Sequence, residues 1–160
     1  MAEIKRPKDA QEMRALVEGS YERLREAMSR IPEGRWDEPA LPGGWSLKED
    51  LDHVALWEGA LLHHVDPAVE LDGPVDLPWG DTDAVNEKFR EWTRSQSVAS
   101  VKERADRTHA GMRALLLTID DARMDETVTG GNKQWWRAVA DETWDHYPEH
   151  FQMLEAAFPD

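Results

Sequence analysis

Gly44-Trp-Ser-Leu-Lys-Glu-Asp-Leu-Asp-His-Val-Ala-Leu-Trp-Glu58 is the stretch that decides the fold. Ser46 followed by Glu49 has the form of a capping box, in which each side chain satisfies an otherwise unpaired amide at a helix start. A helix therefore begins near Ser46. Its apolar stripe runs through Leu47, Leu51, Val54 and Leu61, with Trp57 and Leu62 beside it. That is helical spacing, and it does not fit the alternation of a strand. His53 lies one residue off the strongest line, at the edge of the inward face.

Upstream, Met13, Leu16, Val17, Tyr21, Leu24, Met28 and Ile31 recur at threes and fours, which predicts a first long helix from about Lys8 to Ile31. Pro32-Glu-Gly34 stops it, and the chain to Gly44 reads as loop. Downstream, Asp66 to Asp83 carries Pro67, Gly73, Pro74, Pro78 and Gly80, too many breakers for regular structure, so a long crossover loop is expected. Val85, Phe89 and Trp92 predict a short helix. A longer one follows Ser95-Gln-Ser97 with Val98, Val101, Ala105, Met112, Leu115, Leu116 and Ile119, and the two together form a third arm. Gly130-Gly131 marks a turn. The last helix is expected from about Lys133 to Phe158, with Trp136, Val139, Thr143, Tyr147, His150 and Leu154 on one face and a bend at Pro148, which cannot donate a backbone bond. The fold class is all-α: a four-helix bundle with a long crossover loop between helices two and three.

The chain of 160 residues is the size of one domain, read here as 1–160, and can bury a core without disulfides. Cysteine is absent, which excludes a thiolate metal site and a cysteine nucleophile; thiol chemistry would need a thiol from outside. Nineteen basic residues against thirty-three acidic ones give a formal charge of −14, which repels phosphate backbones and anionic membranes. Nucleic acid is not an expected partner. Met-Ala-Glu-Ile-Lys-Arg-Pro7 lacks the apolar core of a signal peptide and no apolar run reaches membrane-spanning length, so the expected location is the cytoplasm and no membrane partner is expected. Eight tryptophans against three phenylalanines and two tyrosines is an unusual aromatic balance, and several flank the histidines. Core filling is the first reading for most of them.

His146 and His150 sit four apart in Trp144-Asp-His-Tyr-Pro-Glu-His-Phe151, so on one helix they share a face and can chelate one transition ion. A third imidazole from His53 would complete a facial set with open positions, the form of a catalytic site. The competing reading is a pair of solvated or core histidines, since such spacing recurs by chance. Asp50, Asp145 and Glu149 are placed to accept the imidazoles' other protons, although each taken singly reads as a solvated acidic position. His63 and His64 close the second helix, where the dipole favours a cation. His109 reads as a hydrogen-bonded, partly buried residue outside the site. Gly43-Gly44 and Gly130-Gly131 follow no strand and bind no phosphate. Ser20 lies in a helix stripe, Ser46 and Ser97 look like caps, and none has a histidine and acid arranged for nucleophilic catalysis.

The Gly44 to Glu58 segment followed by His146-Tyr-Pro-Glu-His150 resembles the DinB-like superfamily. The resemblance implies a four-helix bundle carrying a divalent ion on one histidine of the second helix and two of the fourth, which by position are His53, His146 and His150. It also implies thiol-dependent transferases or isomerases using bacillithiol, mycothiol or glutathione. Asn86-Glu-Lys-Phe-Arg-Glu-Trp92, Val101-Lys-Glu-Arg104 and the segment from His109 to Glu126 resemble the ClbS-like self-resistance branch, whose members hydrolyse a reactive cyclopropane without the metal triad. Three readings follow. The first is a zinc or nickel protein that transfers a low-molecular-weight thiol to a small electrophile. The second is a metal-independent detoxifying hydrolase with Asp50 or Glu58 as base. The third is a non-catalytic bundle that sequesters a small molecule. Trp57, Trp144 and Tyr147 are candidate pocket walls, with core packing the first reading of each, and a twofold homodimer is the expected assembly class.

Overall fold

In the computed structural model, which describes residues 3–159, every regular element is a helix. These are α1 (Ala10–Ser29), α2 (Leu47–Val65), α3 (Thr82–Arg94), α4 (Val98–Leu117), α5 (Trp135–Glu142) and α6 (Tyr147–Ala157). The protein is all-α. Contacts divide the chain into two compact units, Met1–Arg30 with Gly111–Asp160, and Ile31–Ala110.

In the first unit, Asp9 caps α1 by accepting from the Glu12 amide, and the helix buries Ala10, Met13, Val17, Tyr21, Leu24 and Ala27. Leu16, expected on this stripe, is exposed and Met28 is only half-buried. The buried face is the narrower row that packs on α6, where Tyr21 meets Tyr147 at 5.6 Å and Arg23 lies over Phe151 at 4.4 Å. The Gly130-Gly131 turn is closed by Val128 and Lys133 at 2.9 Å, with an isolated bridge between Thr127 and Gln134.

One expectation fails here. The last helix, read as continuous from Lys133 to Phe158, is two helices separated at Thr143–His146, where Thr143 leaves helical geometry at φ −131°, ψ −104°. Pro148 does not bend a helix from within; it lies in the first turn of α6. The reason is steric. A proline ring clashes with the carbonyl four residues earlier, here Trp144, so the interruption falls one turn upstream, and Pro148 itself occupies a position where a missing N–H costs nothing.

The second unit is built on α2. Its capping box is formed in full: Ser46 Oγ accepts from the Glu49 amide at 3.1 Å and Glu49 Oε2 accepts from the Ser46 amide at 2.9 Å. Beyond the expected stripe, α2 also buries Lys48, Glu49, Asp50, Asp52 and Glu58. A helix buried on most sides must pair its charges. α3 starts at the Asp81 cap and lays Val85 and Phe89 against Leu56 of α2, with Trp57, Leu77 and Trp92 around them. Residues 66–81 carry no helix or strand, as expected. They run close to α2 at Gly73, where a Cβ would stand 2.8 Å from Leu56 Cδ2. Ser97 caps α4 by accepting from the Ser100 amide at 3.1 Å.

Candidate metal centre

The break between α5 and α6 sets the first two histidines. The Thr143 carbonyl accepts from the amides of His146 (2.9 Å) and Tyr147 (2.7 Å), while the Thr143 hydroxyl donates to the Val139 carbonyl at 2.6 Å. His146 becomes the N-cap of α6 and His150 its fourth residue. The two Nε2 atoms lie 2.9 Å apart with rings nearly perpendicular at 83°. Two ring nitrogens at that distance need a proton or a cation between them. A pair bound side by side to one ion at about 2.0–2.1 Å would stand roughly 3 Å apart. Burial, and then the neighbouring His150, pull the His146 pKa down to about 3, so its ring is neutral at ordinary pH, the form that binds a Lewis acid.

His53 is half-buried on α2. Asp50 lies one turn earlier and is buried, not solvated as its sequence position suggested; Asp145 and Glu149 are exposed. The Trp45 indole meets the His53 ring edge to face, with centroids 5.8 Å apart and planes at 84°. His146 and His150, in the first unit, each offer a ring nitrogen of the kind that binds a metal ion, and His53, in the second unit, carries another. Imidazole nitrogens are borderline-soft donors suited to zinc, nickel, copper or iron.

Glu58 is buried; its Oε2 accepts from the Thr108 hydroxyl at 3.1 Å and its Oε1 stands 4.0 Å from His109 Nδ1. His109 is outside the histidine group. Trp57 is half-buried, donating to Asn86 Oδ1 at 2.9 Å and meeting Phe89 and Trp79 at 5.5 and 6.2 Å. Trp144 is half-buried in the break, and Tyr147 is fully buried against Tyr21, as a core residue. His63 and His64 are exposed in the last turn of α2, where His63 Nδ1 bonds the Val69 carbonyl at 2.6 Å.

Sequence reading missed a buried ionic cluster in the second unit. Asp52 accepts from Arg104 Nη1 and from the Thr93 hydroxyl, both at 2.6 Å, and Arg104 also donates to the Asp72 carbonyl at 3.0 Å and covers Trp92 at 4.4 Å. Burial raises the Asp52 pKa, with Thr93 and Arg104 opposing. The sequence carried no local signal for it, because the partners of Asp52 are far along the chain.

Residues 16–150 match the DinB superfamily. The chain belongs to that family. Three crystal structures share the DinB fold with this chain. An uncharacterised protein from Escherichia coli UTI89 is 15% identical, with a TM-score of 0.79 over 94% of this chain and 92% of that one. A protein from Streptococcus pneumoniae is 12% identical, with a TM-score of 0.77 over 96% and 92%. The colibactin self-resistance protein ClbS, solved in complex with double-stranded DNA, is 14% identical, with a TM-score of 0.78 over 95% and 96%. No curated protein matches the sequence.

Proposed function

We propose that this DinB protein holds one divalent ion, zinc or nickel, on His53, His146 and His150 and transfers an external low-molecular-weight thiol to a small electrophile. The observation that carries the reading is the pair of ring nitrogens of His146 and His150, 2.9 Å apart, one of them on a histidine whose proton is lost above about pH 3. A divalent ion on three imidazoles supplies a Lewis acid that lowers the pKa of a bound thiol or water. The chain's own part is to present the neutral ring of His146, to supply no competing thiol, since cysteine is absent, and to set the half-buried indole of Trp45 beside His53. The site has no nucleophilic side chain of its own among these residues, which is why the nucleophile comes from outside.

Elemental mass spectrometry of the purified, untagged protein tests the ion. Near-stoichiometric zinc or nickel is expected, with a loss of more than tenfold in affinity in His150→Ala, because one of three ligands is gone. Unchanged metal content in that variant rejects the assignment. Consumption of a generic electrophile should require added thiol; equal rates without it reject the transfer.

A second reading rests on the buried carboxylates Asp50 and Glu58, the latter held by Thr108. Either would serve as base for a water nucleophile in a metal-independent hydrolase of the kind the ClbS likeness suggests. Activity that survives chelation would select it, and tight binding without turnover would select sequestration. The duplex bound by ClbS is not carried over, because a net charge of −14 opposes a polyanion.

A further inference from the structure

Trp45 belongs to neither helix nor core, yet its backbone and its half-buried indole are both held. Its carbonyl accepts from the Leu41 amide at 3.0 Å. It follows two glycines at positive φ, Gly43 at 73° and Gly44 at 75°, which turn the chain so that the indole faces α2. The guanidinium of Arg90, from α3, lies over the indole at 4.9 Å. That guanidinium is itself fixed: it donates to the Gly44 carbonyl at 2.9 Å and to Glu49 Oε2 at 3.3 Å, the same oxygen that completes the capping box on Ser46. Arg90 and Glu49 are 17% and 8% exposed, so this clamp is shielded from solvent. An arginine spent on a carboxylate and a carbonyl is an organiser, not a free anion receptor. The indole it holds makes an edge-to-face contact with the His53 ring, at a separation and angle typical of aromatic pairs.

We infer that Trp45, clamped by Arg90, is the positioning residue that fixes the plane of the His53 imidazole. A ring free to rotate about its last torsion aims its nitrogens over a wide arc, whereas a T-shaped contact with a clamped indole narrows that arc. The relay runs from α3 through the guanidinium and the indole to a ring on α2. It deepens the metal reading above, because a ligand already oriented loses less freedom on binding an ion.

The test uses full-length protein with 13C-labelled histidine rings, first metal-free and then titrated with zinc alone. In Trp45→Ala the His53 ring protons should lose the indole ring-current shift and broaden, and in Arg90→Gln the same resonances should move while those of His146 and His150 stay in place. Zinc affinity should fall about tenfold in both, and Trp45→Phe, which keeps a ring on the imidazole, should recover to within about threefold of the parent. His53 resonances coincident with the parent in Trp45→Ala and Arg90→Gln would overturn the inference. If Trp45→Ala does not fold, Arg90→Gln, which leaves α2 and its cap intact, decides alone. Protein that takes up no zinc in any form rejects the metal reading and leaves the ring-orientation measurement, made without metal, to decide the role of Trp45.

Discussion

His146 refuses a proton because its ring is buried and because a second imidazole stands beside it, and the consequence reaches stability. The unfolded chain takes up that proton at the ordinary value of 6.5, the folded chain only near 3. Between those limits the unfolded state binds more protons, so folding of the metal-free protein is strongest above pH 6.5 and weakens as pH falls, by at most about 1.4 kcal/mol per pH unit for one proton. Urea unfolding of EDTA-treated protein at pH 7 and pH 4.5 should show this loss, and His146→Gln should show a shallower one; parallel losses would reject the assignment to His146. At this scale the sequence was informative about the histidines, because two imidazoles at helical spacing carry their chemistry in their type. It was uninformative about Asp50 and Asp52. Asp50 looked like a solvated acid on an acidic chain, Asp52 drew no reading at all, and what makes Asp52 a buried partner is Arg104, fifty-two residues away.

The start of α2 was readable because a capping box is local: Ser46 and Glu49 are three residues apart and need nothing else to close. The interruption before α6 was half readable, since Pro148 announces a distortion but its clash lies with a carbonyl one turn earlier. The long-range tie of α2 to α4 and to the crossover loop through Arg104 left no local trace. Arg104→Met would leave the Asp52 carboxylate buried without its cation, which costs about 3–5 kcal/mol near neutral pH. Because burial already raises the Asp52 pKa, that deficit should shrink as pH falls and the carboxyl takes a proton, whose presence removes the buried charge. Chemical denaturation at pH 7 and pH 5 measures both numbers. A loss below about 1 kcal/mol, or one that grows toward acid, would show that the pair is not what holds the loop.

At the scale of the molecule, the helical class and the charge could be read by counting, while the division into two compact units could not, because it depends on which helices meet. The charge has its own consequence. No helix among the described residues is long and apolar enough to cross a membrane, and the acidic excess leaves a formal balance of −14, which offers phosphate no net counter-charge. Binding to duplex DNA gains its affinity from cations that displace condensed counterions, and it strengthens steeply as salt falls. Here lowering the salt lengthens the range of repulsion instead. Fluorescence anisotropy of a labelled duplex, titrated with metal-free protein at about 50 mM salt, should therefore stay flat, and should stay flat again at about 10 mM. A rise that steepens on dilution of the salt would mean that a local basic surface outweighs the net charge, and the exclusion of nucleic acid would fall with it.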